Sequence, residues 1–391
     1  MTDTIKIVEL PVGAGKTYHL INEIQKMSGY VIYAAPTIAL AEEVYKEVTH
    51  RVGEEKSILV TSNETGAGQI VGDYLLESLT ATSSDKYVVC THAGLSATSA
   101  AKLQRIKTLN GVQLTIIIDE LPCLFNCYSK KFAHEHKQQL ETFILISDGK
   151  IEVRDEESRQ QAIEYQFYDS EITKLLTIPH SVQMAHDEKR NEWSFFGYEL
   201  ADNFRDVLEL ADEAYLLAST ITGTLDETIL KDIWNFKLEK AEEIYAQIDH
   251  HDLIERSKRA SIIPLLDSSY SKRKAFDGDY NAKSGKCFST MLKIAADHIG
   301  DNEAIMVANN WAIDSIRTQL KGVSNIDILS PNVKGMNTHQ AKHWCCALFT
   351  AKPTPDIHKS IKLLADTHQL DHSSLLEAYK LQYDLDMIVQ M

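Results

Sequence analysis

Positive charge is scarce in this chain of 391 residues: 40 Lys and Arg stand against 56 Asp and Glu, a formal net charge of −16. That balance excludes a protein that coats nucleic acid through overall charge, though not one with a local basic groove. The acidity reads mostly as solvated faces, as in Asp155-Glu156-Glu157 and Glu239-Lys240-Ala241-Glu242-Glu243. Long apolar runs are also missing, and none approaches the roughly 20 residues that span a bilayer. Met1-Thr2-Asp3-Thr4 has no basic stretch leading into an apolar one, so no secretion signal is expected. The expected location is the cytoplasm, that of the host cell if the source is viral. Cysteine is rare: the six are Cys90, Cys123, Cys127, Cys287, Cys345 and Cys346, with no Cys-x-x-Cys set. Cys123 and Cys127 have a spacing that a helix would turn into neighbours but lack two obvious partners, so reduced thiols are expected rather than a metal or cluster site. No solenoid repeat and no low-complexity tract is visible. What remains is an ordinary globular composition, 44% apolar and 25% charged, on a chain long enough for two or three domains.

The most informative stretch comes first. Leu10-Pro11-Val12-Gly13-Ala14-Gly15-Lys16-Thr17 reads as a phosphate-binding loop, preceded by the strand-like Ile5-Lys6-Ile7-Val8-Glu9 and followed by the helix-like Tyr18 to Ile24. Gly13 and Gly15 let the backbone turn its N–H groups toward phosphate oxygens, and the new helix adds the positive end of its dipole. Lys16 suits the β- and γ-phosphates and the Thr17 hydroxyl suits Mg²⁺. Pro11, Val12, Gly13, Ala14, Gly15, Lys16, Thr17 and Tyr18 are therefore the candidate ATP site of the first segment.

Short apolar runs then alternate with helical patterns. Tyr30 to Ala35 ends in Pro36-Thr37, Tyr87 to Cys90 ends in Thr91-His92, Leu114 to Ile118 ends in Asp119-Glu120, and Ala214 to Ala218 ends in Ser219-Thr220. Ser57 to Val60 is a further strand. Such alternation predicts a parallel sheet covered on both faces, with its ligand at the carboxyl ends of the strands, where each polar pair falls. The polar stretch 126–205 breaks the rhythm and reads as an insertion, with a hairpin around Met184 to Tyr198. Residues 235–258 read as charged and helical, a connection. A second α/β series follows, with strands Ser261 to Leu266, Ala304 to Ala308, Ile326 to Leu329 and Cys345 to Phe349, and helices Phe288 to His298 and Trp311 to Leu320. The expected plan is a first lobe (1–125 and 206–235), an insertion (126–205), a connection (236–257) and a second lobe (258–391).

Asp119-Glu120 at the end of an isoleucine-rich strand is the second strong signal. Asp119 suits the shell of a nucleotide-borne Mg²⁺, and Glu120 suits orientation or deprotonation of the attacking water. The order of motifs resembles superfamily-2 DNA and RNA helicases of the DEAD/DEAH kind. Leu10 to Thr17 looks like motif I, Pro36-Thr37 with Leu40-Ala41 like motif Ia, and Thr91 to Leu95 like a later strand-contact motif. Asp119-Glu120-Leu121-Pro122 is similar to the Asp-Glu-x-x box, and Ala218-Ser219-Thr220 to motif III with Ser and Ala exchanged. Ala304 to Asn310 resembles motif IV, and Gly335-Met336-Asn337 resembles motif V.

The resemblance implies an α/β fold of two RecA-like lobes with parallel sheets, ATP and Mg²⁺ between them, and single-stranded DNA or RNA across the top. It implies catalytic roles for Lys16, Asp119 and Glu120, metal binding by Thr17 and Asp119, and nucleotide contacts from Gly335 and Asn337. It places Pro36, Thr37, Thr91 and His92 on the strand, and gives Ser219 and Thr220 the coupling of nucleotide state to lobe closure. Hydroxyls and backbone N–H groups make many phosphate contacts, which reconciles the role with an acidic chain. One departure is plain. Motif VI would bring arginine fingers, yet Gln390 is followed only by Met391 and the last arginine is Arg317. A fragment, a second subunit that supplies the fingers, or a weak ATPase would each explain this; a truncated or split protein is the expectation. The expected activity is ATP-driven helicase or translocase action. The alternatives are an ATP-gated nucleic-acid-binding subunit of a larger complex and a small-molecule kinase, against which the second α/β series counts.

Overall fold

Among the described residues, ten strands come within the first 200 positions. Thr4–Glu9 (β1), Tyr30–Ala35 (β2), Ser57–Val60 (β3), Lys86–Thr91 (β4) and Leu114–Asp119 (β5) are short and mostly apolar, as buried strands are. Phe125–Ala133 (β6), Ile144–Ser147 (β7), Lys150–Val153 (β8), Val182–Asp187 (β9) and Glu192–Leu200 (β10) follow. Then come Glu213–Ala218 (β11), Lys237–Lys240 (β12), Ala304–Ala308 (β13), Ile326–Leu329 (β14) and Trp344–Leu348 (β15). The structure is a computed structural model that describes residues 3–11, 13–64, 69–80, 85–133, 144–147, 150–155, 157, 182–188, 191–248, 265, 272–276, 285–330, 342, 344–348 and 353–390.

Seven strands form one sheet in the order β12-β1-β11-β5-β2-β4-β3, every pairing parallel. The register aligns the carboxyl ends: Glu9 opposes Ala218, Leu217 opposes Asp119, and Ala35 opposes Thr91. All six residues of β2 and of β5 are buried, as a two-sided sheet requires.

The helices are α1 (Lys16–Glu23), α2 (Ile38–Val52), α3 (Val71–Thr80), α4 (His92–Ser96), α5 (Ala100–Asn110), α6 (Asp202–Glu209), α7 (Leu225–Thr228) and α8 (Glu242–Tyr245), then α9 (Lys272–Ala275), α10 (Lys286–Ile299), α11 (Asn310–Gln319), α12 (Pro355–His368) and α13 (His372–Gln390). Alternation along β2 divides the core. Val31, Tyr33 and Ala35 face α1, α2 and α8, whereas Tyr30, Ile32 and Ala34 belong to the cluster with α3, α5 and α6. Thr37 starts α2 by accepting the Leu40 N–H, and Gly53 at φ 93° ends it, a backbone setting glycine reaches without strain.

The insertion is an antiparallel sheet in the order β6-β10-β9-β8-β7. Its β9–β10 hairpin confirms the hairpin expected around Met184 to Tyr198, with Glu192 opposite Asp187 as the pair nearest the turn. The later parallel sheet, β14-β13-β15, has its own core of Phe288, Met291, Leu292, Ala312 and Ile316.

Three expectations change. Residues 237–240, read as part of a helical connection, form β12 at the sheet edge. An edge strand pairs on one side only and tolerates Lys-Leu-Glu-Lys, whose charges stay in water. The final strand begins at Trp344, one residue before its expected start, and the expected last residue, Phe349, lies outside the described residues. The segment 355–390, expected with the second lobe, instead shares the first sheet's core through Ile361, Leu364 and Leu375. The expected strand 261–266 lies outside the described residues except for Leu265. Among the described residues, no helix is long and apolar enough to cross a membrane.

Candidate active site

The turn after β1 is built by two glycines in the left-handed region, Gly13 at φ 76° and Gly15 at φ 80°. Gly15 is the N-cap of α1, and no side chain caps that helix. Its first amides are thus presented at the loop with the positive end of the helix dipole, a setting for an anion. Ala14 N–H donates to Pro11 O at 3.2 Å, which closes the turn. Pro11 and Gly13 are exposed and Tyr18 is 60% exposed beside the loop. Lys16 Nζ donates to Leu10 O at 2.6 Å and Pro11 O at 3.2 Å, so the amine lies over the loop itself. Val12 lies outside the described residues, as do Gly335 and Asn337.

Asp119 is brought to this loop across 102 positions of sequence. The Thr17 hydroxyl donates to Asp119 Oδ2 at 3.0 Å, and the Tyr33 hydroxyl donates to the same oxygen. Asp119 is only 4% exposed. Burial pushes its carboxyl above the ordinary carboxylate range, opposed by the Tyr33 and Thr17 hydrogen bonds and the Lys16 charge. The same burial, with the Asp119 charge beside it, lifts the Tyr33 phenol well above its usual value. Glu120 follows at φ 59°, the left-handed region that a non-glycine residue rarely takes, and its N–H donates to Leu217 O at 2.7 Å. Such a setting costs of the order of 1 kcal/mol and is held only by its surroundings.

The residues fit a Mg²⁺-nucleotide. A hydroxyl and a carboxylate oxygen 3.0 Å apart are the hard donors this ion takes from protein, with phosphates and water completing the shell. The buried carboxylate would also gain the positive charge that its burial calls for. Among the described residues no group of three His, Cys, Asp or Glu is placed to hold a metal ion.

The other expected residues line the same sheet edge with differences in detail. The hydroxyls of Thr37 and Thr91 accept from Leu40 N–H and Gly94 N–H, both at 3.2 Å, and so serve as helix caps. Pro36 precedes Thr37, half-buried between β2 and α2. His92, expected on the strand, turns inward: its Nε2 lies 3.0 Å from Asp119 O, and since a carbonyl only accepts, Nε2 carries the proton. Ser219 and Thr220 are half-buried at the end of β11, beside the loop, where Leu10 N–H donates to Ala218 O at 3.1 Å.

Three residues were not singled out from sequence. Tyr33 looks like one more apolar residue of a buried strand; its polar head opposite a strand-end Asp was the available signal. Glu9 closes β1, and its carboxylate accepts from Ile221 N–H, Thr222 N–H and the Thr222 hydroxyl. Tyr245, in the stretch read as a connection, brackets the Glu9 backbone: it accepts from Glu9 N–H at 2.8 Å and donates to Glu9 O at 2.9 Å.

Residues 2–153 match the model of the DEAD/DEAH box helicase family. No curated protein matches the chain at a significant level. Among solved structures the chain is similar to an XPD helicase, with 12% identity, 99% of this chain and 90% of that one covered, and a TM-score of 0.48. It is also similar to Xpd4 of S. tokodaii, with 12% identity, 99% and 88% covered, and a TM-score of 0.46. T4 UvsW gives 11% identity, 93% and 62% covered, and a TM-score of 0.26. The matched segment takes in the phosphate loop, Thr37, Thr91 and Asp119-Glu120, so over these residues the chain is similar to the DEAD/DEAH box helicase family, as its motifs are.

Proposed function

We propose that the protein is a nucleic-acid-dependent ATPase that works as a helicase or translocase, hydrolysing ATP between two RecA-like lobes while it moves on single-stranded DNA or RNA. The observation that carries this reading is the meeting of Thr17 and Asp119 at 3.0 Å beneath an uncapped helix N-terminus. Lys16 would exchange the carbonyls of Leu10 and Pro11 for the β- and γ-phosphates. Thr17 and Asp119 would hold Mg²⁺, which when bound with ATP neutralises charge on the phosphate oxygens. Glu120 would orient the attacking water and take its proton, and its fixed backbone keeps the carboxylate from wandering. His92, through the Asp119 carbonyl, fixes the turn on which both carboxylates sit. Thr37, Thr91 and Pro36 stand at the edge where a strand's phosphates would meet the first amides of α2 and α4, and Ser219 and Thr220 would link nucleotide state to lobe closure. Gly335 and Asn337 would add nucleotide contacts from the second lobe.

The test is ATP hydrolysis with and without single-stranded DNA and RNA, with Glu120→Gln as the blank. Stimulation severalfold above the unstimulated rate by one polymer is the expected result, and it names the substrate. A rate no higher than the Glu120→Gln blank with every polymer would overturn the reading.

A further inference from the structure

The Glu9 carboxylate lies outside the phosphate loop yet reaches across to the neighbouring strand's turn. Glu9 is the last residue of β1 and stands in register with Ala218, the last of β11. Its Oε1 accepts from Ile221 N–H at 2.7 Å and Thr222 N–H at 3.0 Å, and its Oε2 accepts from the Thr222 hydroxyl at 2.6 Å. One carboxyl group thus gathers three donors of the turn that follows Ser219-Thr220. The Glu9 backbone is pinned from the other side by the Tyr245 hydroxyl, which accepts from its N–H and donates to its carbonyl. Beyond Thr222 the turn is also wired: the Thr224 hydroxyl donates to Ile221 O at 2.6 Å and Gly223 N–H donates to Glu227 Oε2 at 2.6 Å. The phosphate loop therefore follows directly on a residue whose side chain holds the 219–222 turn. A shift of the loop must either carry that turn along or break three hydrogen bonds.

We propose that Glu9 is a positioning residue that couples the phosphate loop to the 219–222 turn, so that a nucleic-acid strand engaged by the lobes is felt at the nucleotide. This rests on the nucleic-acid-dependent ATPase reading above. The role is geometric. A glutamine at position 9 keeps an oxygen for the two backbone N–H groups and offers its amide to the Thr222 oxygen, so it preserves the link without the charge.

The experiment measures ATP hydrolysis by the full chain with and without the stimulating single strand, together with KM for ATP and the melting temperature. In Glu9→Ala, stimulation falls about tenfold, while KM and the unstimulated rate stay close to wild type. Glu9→Gln keeps most of the stimulation, and Thr222→Val, which loses one bond of three, loses part of it. Equal loss in Glu9→Gln and Glu9→Ala would overturn the proposal, because charge rather than geometry would then matter. Wild-type stimulation in Glu9→Ala would overturn it as well. Should Glu9→Ala fail to fold, full stimulation in a folded Thr222→Val would do the same. A wild type that hydrolyses ATP but answers to no strand overturns the ATPase reading and this proposal together, so the two failures are distinguishable.

Discussion

Lys16 and Tyr33 show how differently two residues of one site reveal themselves. Lys16 belongs to a contiguous motif whose spacing alone carries its chemistry, as do Thr17, Asp119 and Glu120. Its amine donates to two carbonyls of its own loop, and Lys16→Ala should lower ATP turnover by at least about 100-fold while the melting temperature hardly moves. Turnover within severalfold of wild type would remove Lys16 from the site. Tyr33 was hidden because its partner Asp119 is 86 positions away and its ring is what a buried strand wants. The ring packs and only the hydroxyl orients the carboxylate, so Tyr33→Phe should fold normally and need a severalfold higher Mg²⁺ concentration for half-maximal hydrolysis. An unchanged Mg²⁺ requirement would make Tyr33 a core residue only. Glu9 and His92 belong to the same class. Each is a polar side chain whose role is set by where a neighbouring strand ends, and a single sequence does not print that register.

At the scale of elements, β2, β4, β5 and β11 were legible because a strand buried on both faces must be apolar along its whole length. β12 was not, because an edge strand carries charge and four residues are too few for a period to show. The ion pair at the α5–β5 connection was not legible, because its two partners lie about a hundred positions apart. Lys107 Nζ donates to Asp212 Oδ1 at 2.8 Å and to Leu210 O at 2.7 Å, while Asp212 Oδ2 accepts from Leu114 N–H at 2.8 Å. Partial burial would raise the Asp212 carboxyl, but the Lys107 and Leu114 hydrogen bonds outweigh it and hold the group below its ordinary value. A carboxylate held low binds fewer protons folded than unfolded, so it stabilises the fold above the ordinary carboxylate range. That contribution is lost as pH falls through the lowered value. Asp212→Asn should therefore destabilise the protein near pH 7 by no more than about 1 kcal/mol, since Asp212 is about one-third exposed and solvent screens the pair. The gap to wild type should close as pH is taken below the ordinary aspartate value. A gap that persists unchanged in acid would show that the charge contributes nothing there.

At the scale of the whole molecule, chain order misled because it assigns the last helices to the lobe they follow. Their apolar faces go elsewhere. Ile361 and Leu364 are fully buried in the same cluster as Ile118 and Leu216 of the first sheet, and Leu375 and Tyr379 join them from α13. Polar contacts agree: Ser360 Oγ donates to Gly197 O at 3.0 Å, and Gln382 pairs with Asp226 through its amide nitrogen at 2.6 Å and the Asp226 N–H at 3.1 Å. The sheet β14-β13-β15 closes a different cluster around Phe288 and Met306. Two cores in one chain need not melt together. Truncation of a fully buried aliphatic side chain costs about 2–5 kcal/mol, and of a buried Phe about 3–5 kcal/mol, in the core that holds it. Leu364→Ala should thus lower the melting of the body that contains the phosphate loop although it lies 348 positions after Lys16, whereas Phe288→Ala should spare that body and lower the other. Calorimetry of the two variants, with ATP added to mark the nucleotide-binding transition, separates the cases. If Leu364→Ala shifted only the transition that ATP leaves untouched, the C-terminal helices would belong to the second lobe after all.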